Sequence, residues 1–206
     1  MLDSEADQGI AGVAVGASEV VLDQIGRPDT AAVLWQRRLD PGVQAWLDAL
    51  PAEGLPQMRA ALRVEDVGRA VDAALTAAGH GPNPWGRMLC DDVQALATRF
   101  AGIMGQEKIE LRLDAISGNA CTRFHVDFVS ARLLCTYRGL GTEYGIAEGA
   151  GDPAAPNQMQ PGWVGLFRGR TWPSPAACGL VHRSPPIAGT GETRLLLVID
   201  VAEPED

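Results

Sequence analysis

The hydrophobic pattern of the chain changes its period once, near Gly105, and this change limits the possible fold more than any other feature. Before Gly105, apolar residues recur at intervals of three and four, which is typical of amphipathic helices. After it, apolar and polar residues alternate in short segments bounded by Gly or Pro, which is typical of β-strands. Helices followed by antiparallel strands predict an α+β chain, whose sheet closes into a sandwich or a barrel.

Three helices are expected before Gly105, each with an apolar face and a capping or breaking residue at its ends. Their expected ranges are 41–50, 57–78 and 92–104. After Gly105 the alternation predicts strands at 109–114, 123–129, 132–137, 163–168, 179–183 and 194–201, with weaker candidates at 142–146 and 158–160. The 24 Gly and 14 Pro residues indicate many turns and argue against an all-helical bundle.

Length and composition favour a single domain. The chain has 206 residues, of which 46% are hydrophobic and 21% charged, close to the average for globular proteins. Residues 1–30 carry six acidic residues and one arginine without periodicity, so they are expected to form a loose acidic arm. Residues 31–206 are expected to form the single domain, with a helical scaffold at 31–105 and a β-barrel at 106–206 that carries the metal site.

The charge of the chain excludes one class of partner. Its net charge is -9, from 17 basic and 26 acidic residues, and no basic run is longer than Arg37 and Arg38. A nucleic-acid-binding protein needs a basic face to contact phosphates. We therefore expect no nucleic-acid partner.

Membrane insertion and secretion are also not expected. The longest uncharged stretch, residues 153–167, is interrupted by Pro, Asn and Gln, unlike a membrane-spanning helix. The apolar residues 10–17 follow acidic residues, whereas a secretion signal has a basic segment there. The four cysteines include no Cys-x-x-Cys pair and do not indicate disulfides. These features predict a cytoplasmic protein of bacterial type without a membrane partner.

A His-x-Asp pair is the first candidate for chemistry. In the segment FHVDF, residues 124–128, a strand would place His125 and Asp127 on one face and the three apolar side chains on the other. His182 lies on another expected strand, 57 residues after His125. Two histidines and one carboxylate form the ligand set of a mononuclear Fe(II) site, which leaves metal positions for oxygen and a cosubstrate.

Arg194 begins the last expected strand, on the same face as Leu196 and Val198. A guanidinium entering an apolar barrel needs a partner, and its planar fork fits the distal carboxylate of 2-oxoglutarate. Another interpretation stays open, in which Arg194 pairs with Glu192 or Glu143 or lies at the exposed start of the strand. The two histidines have an alternative as well, as hydrogen-bonded core residues of a barrel without metal.

A zinc site is the rival metal arrangement. Cys121 precedes His125 by four residues, and Cys178 precedes His182 by the same spacing. Two cysteines and two histidines can form a structural zinc site. Residues four apart on a strand are about 13 Å apart, however, so this arrangement requires both segments to turn.

Three segments carry a resemblance to known families, namely CTRFHVDFVSARLLCTYRGLGTEY (residues 121–144), GLVHRSPP (179–186) and GTGETRLLLVID (189–200). They resemble a bacterial family catalogued as domain of unknown function eighteen twenty-six, and the resemblance extends over nearly the whole chain. The name of that family implies no activity. The order His-x-Asp, His and Arg is more distantly similar to that of the Fe(II)- and 2-oxoglutarate-dependent oxygenases.

The oxygenase resemblance implies a double-stranded β-helix of jelly-roll or cupin-like type, with N-terminal helices packed on it. It also implies iron ligation by His125, Asp127 and His182, and cosubstrate contact by Arg194, with Tyr137 as a candidate second contact. The expected function is hydroxylation of an unknown small molecule or protein side chain. The alternative is a zinc- or iron-binding protein of metal homeostasis on the same barrel.

Overall fold

The computed structural model describes residues 10–149, 151–174 and 178–202. Within them, ten strands form two sheets. The strands are β1 (Val13–Gly16), β2 (Ala32–Trp35), β3 (Met58–Arg63), β4 (Lys108–Ile116), β5 (Ala131–Arg138), β6 (Glu143–Ile146), β7 (Asn157–Gln158), β8 (Val164–Arg168), β9 (Leu180–Arg183) and β10 (Arg194–Val201). The helices are α1 (Pro41–Ala49), α2 (Val67–Ala77) and α3 (Pro84–Met104), and short 3-10 turns cover Glu19–Gly26, Ala52–Gly54 and Val64–Asp66.

The larger sheet has the order β1-β2-β8-β5-β10-β4-β3 and the smaller one the order β7-β6-β9. Every pairing is antiparallel except that of β1 with β2. β10 pairs with β4 on one side and with β5 on the other, and its apolar side chains alternate between two cores. Leu195, Leu197 and Ile199 belong to the core under the helices, whereas Leu196 and Val198 belong to the core between the sheets. Odd-numbered and even-numbered side chains of β10 therefore face opposite sides of the sheet.

The helices begin and end where local chemistry dictates. The carboxylate of Asp40 accepts a 2.8 Å hydrogen bond from the Gly42 amide at the start of α1. At the start of α3, the side chain of Asn83 accepts one of 2.7 Å from the Gly86 amide. α3 ends at Gly105, whose φ of 64° is the left-handed conformation that favours glycine.

The predicted first helix and most of the predicted strands of the second half are confirmed, but several segments differ. Residues 58–63 form an edge strand paired with β4, because Met58 and Leu62 alternate with exposed residues and pack on the core. The helix expected at 92–104 begins eight residues earlier, at Pro84. The strand expected at 123–129 is absent, and only His125 makes a β-bridge there, to His182.

The expected acidic arm also differs. Residues 13–16 form the edge strand β1, and Val21, Leu22 and Ile25 are buried in the main core. The acidic composition of this segment predicts a loose arm, but three apolar residues of one 3-10 turn are enough to anchor it to the core. Residues 1–9 of the expected arm lie outside the described residues. Within the described ranges, no helix is long and apolar enough to cross a membrane.

Helix α3 contributes its whole apolar face to the main core, so a truncation there tests the packing of helix on sheet. Phe100 is completely buried, whereas Met88 on the same helix is 39% exposed. Phe100→Ala is expected to lower the free energy of unfolding by about 3–5 kcal/mol, because it removes apolar contacts and leaves a cavity. Urea unfolding measures this free energy. Met88→Ala is the control, and it should lower the free energy of unfolding by less than about 1 kcal/mol. Equal losses in both variants would contradict the described packing.

Candidate metal site

One backbone contact brings the two candidate histidines together. His125 lies in the irregular segment between β4 and β5, and His182 lies on β9. The amide of each donates a 3.0 Å hydrogen bond to the carbonyl of the other. Residues opposite each other in such a bridge present their side chains on the same side, and the two imidazole centroids are 4.9 Å apart.

Asp127 joins this pair from the chain that follows His125. Its Oδ1 lies 3.4 Å from Nε2 of His125, and its Oδ2 lies 2.9 Å from Nε2 of His182. The three ligand atoms all lie within 4.8 Å of one another. Across residues 10–149, 151–174 and 178–202, this is the one group of three or more His, Cys, Asp or Glu side chains with the spacing of a metal site.

The ring of His125 is held from its far side. Its Nδ1 lies 2.8 Å from the carbonyl oxygen of Arg123, to which it donates a hydrogen bond, and 3.6 Å from Sγ of Cys121. A proton on Nδ1 leaves the lone pair of the neutral ring on Nε2, the nitrogen that faces Asp127. The contact with Asp127 raises the pKa of His125, although burial acts in the opposite direction.

An ion pair with Arg132 also holds Asp127 in place. The Arg132 guanidinium contacts Oδ1 of Asp127 and donates to both oxygens of Asp200, at 2.8 and 2.7 Å. Asp127 and Asp200 are both almost completely buried. Burial opposes ionisation of Asp127, but the nearby His125, His182 and Arg132 outweigh it and hold its pKa well below the usual range. The carboxylate is therefore charged at neutral pH.

A divalent metal ion fits this donor set because one of its atoms lacks a partner. Oδ2 of Asp127 is buried and accepts no hydrogen bond from the described residues, although it lies 2.9 Å from His182. A buried carboxylate oxygen without a partner is costly unless a cation binds it. Nitrogen atoms from two histidines and one carboxylate oxygen are the ligands of the facial triad that binds Fe(II).

Arg194 is the most deeply buried charged side chain of the described residues, with no exposed surface. Its Nε donates to the Leu140 carbonyl at 2.5 Å, its Nη1 to Oγ of Ser184 at 3.1 Å, and its Nη2 to Oγ1 of Thr136 at 3.4 Å. Burial lowers the pKa of Arg194 to about 10, which still leaves it charged at neutral pH.

No carboxylate of the described residues forms an ion pair with Arg194. Glu143, one of the two partners considered from the sequence, instead accepts a 2.6 Å hydrogen bond from Arg183. A buried guanidinium bonded only to uncharged oxygens retains its full positive charge. It therefore fits an anionic ligand such as the distal carboxylate of 2-oxoglutarate.

A cavity of about 150 Å³ lies beside the two features, between the larger sheet and the smaller one. His125 and His182 line it together with Ser184, the hydroxyl partner of Arg194. Leu134, Leu196 and Val198 form its apolar wall. The structure thus brings together three of the five residues singled out in the sequence, and a fourth, Arg194, adjoins the same cavity through Ser184.

Tyr137 is the fifth, and the structure places it elsewhere. Its side chain is completely buried on the helix side of the sheet, where its hydroxyl donates a 2.6 Å hydrogen bond to Asp92, which also binds Arg37. Burial raises the pKa of Tyr137 well above its usual value. Because side chains alternate along β5, the residue that reaches Arg194 from this strand is the preceding one, Thr136.

The zinc arrangement is not assembled. Cys121 approaches only the outer nitrogen of His125, and Cys178 packs against Gly12 near β1. The roles of Arg132 and Asp200 were not predicted from the sequence. Both lie on strands, on the same faces as the buried Leu134 and Val198. A charged residue at such an inward position is unusual, and it could have indicated a functional role from the sequence.

Comparison with solved structures supports the fold. The chain is similar to dioxygenase for auxin oxidation 1 from Arabidopsis thaliana, in a binary complex with 2-oxoglutarate, with a TM-score of 0.54 and 11% identity over 96% of this chain and 94% of that one. It is also similar to the rice dioxygenase for auxin oxidation, with a TM-score of 0.52 and 16% identity over 96% and 84%. At such identities the likeness shows the fold alone, and it confirms the α+β class and the jelly-roll barrel.

No curated protein matches the sequence. A family model matches residues 16–200 of the chain. This range includes every candidate site residue, and the match agrees with the resemblance carried by the three motif segments. The chain belongs to the family described as Protein of unknown function (DUF1826).

Proposed function

We propose that the protein is an Fe(II)- and 2-oxoglutarate-dependent oxygenase that hydroxylates an organic substrate. The observation that carries the proposal is Arg194, a completely buried cation without a carboxylate partner among the described residues, whose hydroxyl partner Ser184 lines the same cavity as His125 and His182. A protein that only stores metal has no use for such a cation. The shared fold of the plant dioxygenases, one of them solved with 2-oxoglutarate, supports the same interpretation.

In this proposal, His125, Asp127 and His182 hold the iron, and Arg194 binds the distal carboxylate of 2-oxoglutarate. When bound, iron and 2-oxoglutarate would supply the activation of dioxygen. The contribution of the chain is to orient these groups. The Arg123 carbonyl fixes the ring of His125, Arg132 fixes Asp127, and the hydroxyls of Thr136 and Ser184 fix Arg194.

The apolar wall has a second role. Leu134, Leu196 and Val198 line the cavity and are each at most 7% exposed. They limit the access of water to the ligands, which strengthens the charge interactions within the site. Neutral histidines and an ionised aspartate are the protonation states that metal binding needs, and the contacts described above favour the ionised form of Asp127.

The proposal is tested by anaerobic titration of metal-free protein with Fe(II) and then 2-oxoglutarate, followed by visible absorption. A charge-transfer band of the chelated keto acid is expected in the wild type and should be lost in His125→Ala, which removes one ligand. Tyr137→Phe is the control, because Tyr137 lies on the other face of the sheet, and it should leave the band unchanged. Tight metal binding without a band would instead support a metal-binding protein without oxygenase activity.

Arg194 separates the two interpretations further. Arg194→Met should weaken 2-oxoglutarate binding at least about thirtyfold, which corresponds to about 2 kcal/mol, because it removes a buried charge-assisted contact. Its affinity for metal alone should stay close to that of the wild type. Calorimetry of the metal-loaded protein measures both, and Arg194→Lys, which keeps the charge but not the fork, should be intermediate. Unchanged 2-oxoglutarate affinity in both variants would refute the cosubstrate role.

The bridge from Asp200 through Arg132 to Asp127 is expected to set metal affinity. Arg132→Met should weaken metal binding about 10–100-fold, because the carboxylate of Asp127 loses the group that orients it. Asp200→Asn should have a smaller effect in the same direction. Competition with a chromophoric chelator measures the affinity. Arg59→Met, on the edge strand β3, is the control and should bind metal like the wild type, so an equal loss there would contradict the bridge.

A further inference from the structure

We propose that Arg112 binds a carboxylate of the molecule that enters the cavity, and that the substrate of the proposed oxygenase is therefore an organic acid with a single carboxylate near its reacting end. This inference rests on the proposed function and names its substrate class. Arg112 lies on β4 and lines the same cavity as His125 and His182, with 23% of its side chain exposed.

The donors of Arg112 are not used by the described residues. Its nearest carboxylate oxygens belong to Asp114, at 3.9 Å, and Asp200, at 4.0 Å, both beyond hydrogen-bond length. Asp200 already accepts two short hydrogen bonds from Arg132. By contrast, Arg183 in the same cavity has a 2.6 Å bond to Glu143. Arg112 therefore differs from the other two cavity arginines in having its fork available.

The neighbouring strand adds positive charge at this point. Arg112 lies directly opposite Arg59 of β3, an unfavourable pairing of like charges in an antiparallel ladder. Arg59 is relieved by Glu110, to which it donates at 2.9 and 3.2 Å. Arg112 has no equivalent partner among the described residues, so an anionic ligand would relieve it.

Arg112 lines the cavity, whereas Arg194 adjoins it through Ser184, and the two arginines lie at different positions along the larger sheet. Along β4 and β10, Arg194 is opposite Ile116, and Arg112 is opposite Val198, four residues further along β10. Four residues of a strand span about 13 Å, too far for one small dicarboxylate that chelates a metal to reach both arginines. Arg194 has no exposed surface, whereas Arg112 is partly exposed. The inner arginine thus serves the cosubstrate and the outer one the substrate.

The surrounding carboxylates favour a ligand with a single negative charge over one with two. Asp114 and Asp200 lie 3.9 and 4.0 Å from Arg112, and they would repel a phosphate dianion more strongly than a carboxylate. A carboxylate carries one charge, and its two oxygens match the planar fork of arginine. The bound molecule is therefore expected to be a monocarboxylic acid at this end.

The experiment compares two matched pairs of probes, phenylacetate with phenylacetamide and hexanoate with hexanamide. Their binding is measured by calorimetry, in metal-free protein and in anaerobic protein loaded with Fe(II) and 2-oxoglutarate. In the wild type, each acid is expected to bind about tenfold more tightly than its amide, since one charge-assisted contact distinguishes them. Arg112→Gln should abolish this preference without weakening 2-oxoglutarate binding.

Two further variants keep the test decisive. Arg69→Gln, an exposed arginine of α2, makes the same charge change outside the cavity and should retain the preference. Arg112→Lys should retain part of it and guards against a folding defect in the glutamine variant. Equal affinity for acids and amides, no binding of either acid, or a preference that survives Arg112→Gln would overturn the inference. A preference that depends on Arg112, in a protein that binds neither iron nor 2-oxoglutarate, would support the carboxylate site and refute the proposed oxygenase alone.

Discussion

The site depends on the pair of backbone hydrogen bonds between His125 and His182. This bridge ties the irregular segment after β4 to β9 of the smaller sheet, and it sets the distance between two imidazoles that are 57 residues apart in the sequence. Asp127 then reaches both rings from two residues further along. Because the contact involves only main-chain atoms, the side chains remain available for a ligand.

The alternation of the central strands divides the molecule into a stabilising face and a functional one. On β10, Leu195, Leu197 and Ile199 are fully buried under the helices, while Arg194 is buried on the other face. Burial of an unpaired guanidinium costs several kcal/mol, which three hydrogen bonds to neutral oxygens only partly offset. The apolar face of the same strand supplies the stability that makes this tolerable. The residue that is costly to bury, Arg194, and the apolar residues that stabilise the core therefore lie next to each other on β10.

The sequence was sufficient where a pattern is local. Strand alternation and helix caps located α1, β4, β5 and β8–β10. The His-x-Asp spacing with a distant His selected three residues that converge, and Arg194 adjoins their cavity through Ser184. It was insufficient where tertiary pairing decides. Residues 58–63 have good helical residues but complete the edge of a sheet, and Tyr137 was assigned without knowing its parity along β5. The bridge of Arg132 to Asp127 and Asp200 requires the register of β5 with β10, which no single segment contains.

In the proposed function, the charges of the site would give two anions and a metal ion separate binding groups. No ion pair within the described residues neutralises Arg194, because Glu143, the nearby carboxylate, binds Arg183 instead. Arg132 contacts Oδ1 of Asp127 and leaves Oδ2 without a hydrogen bond, so Oδ2 would be available to a metal ion. Asp200 accepts two short hydrogen bonds from Arg132 and lies 4.0 Å from Arg112, so its ion pair with Arg112 is weak. The partly buried Arg132 thereby affects both how Asp127 presents its oxygen and how much charge Arg112 retains for a ligand.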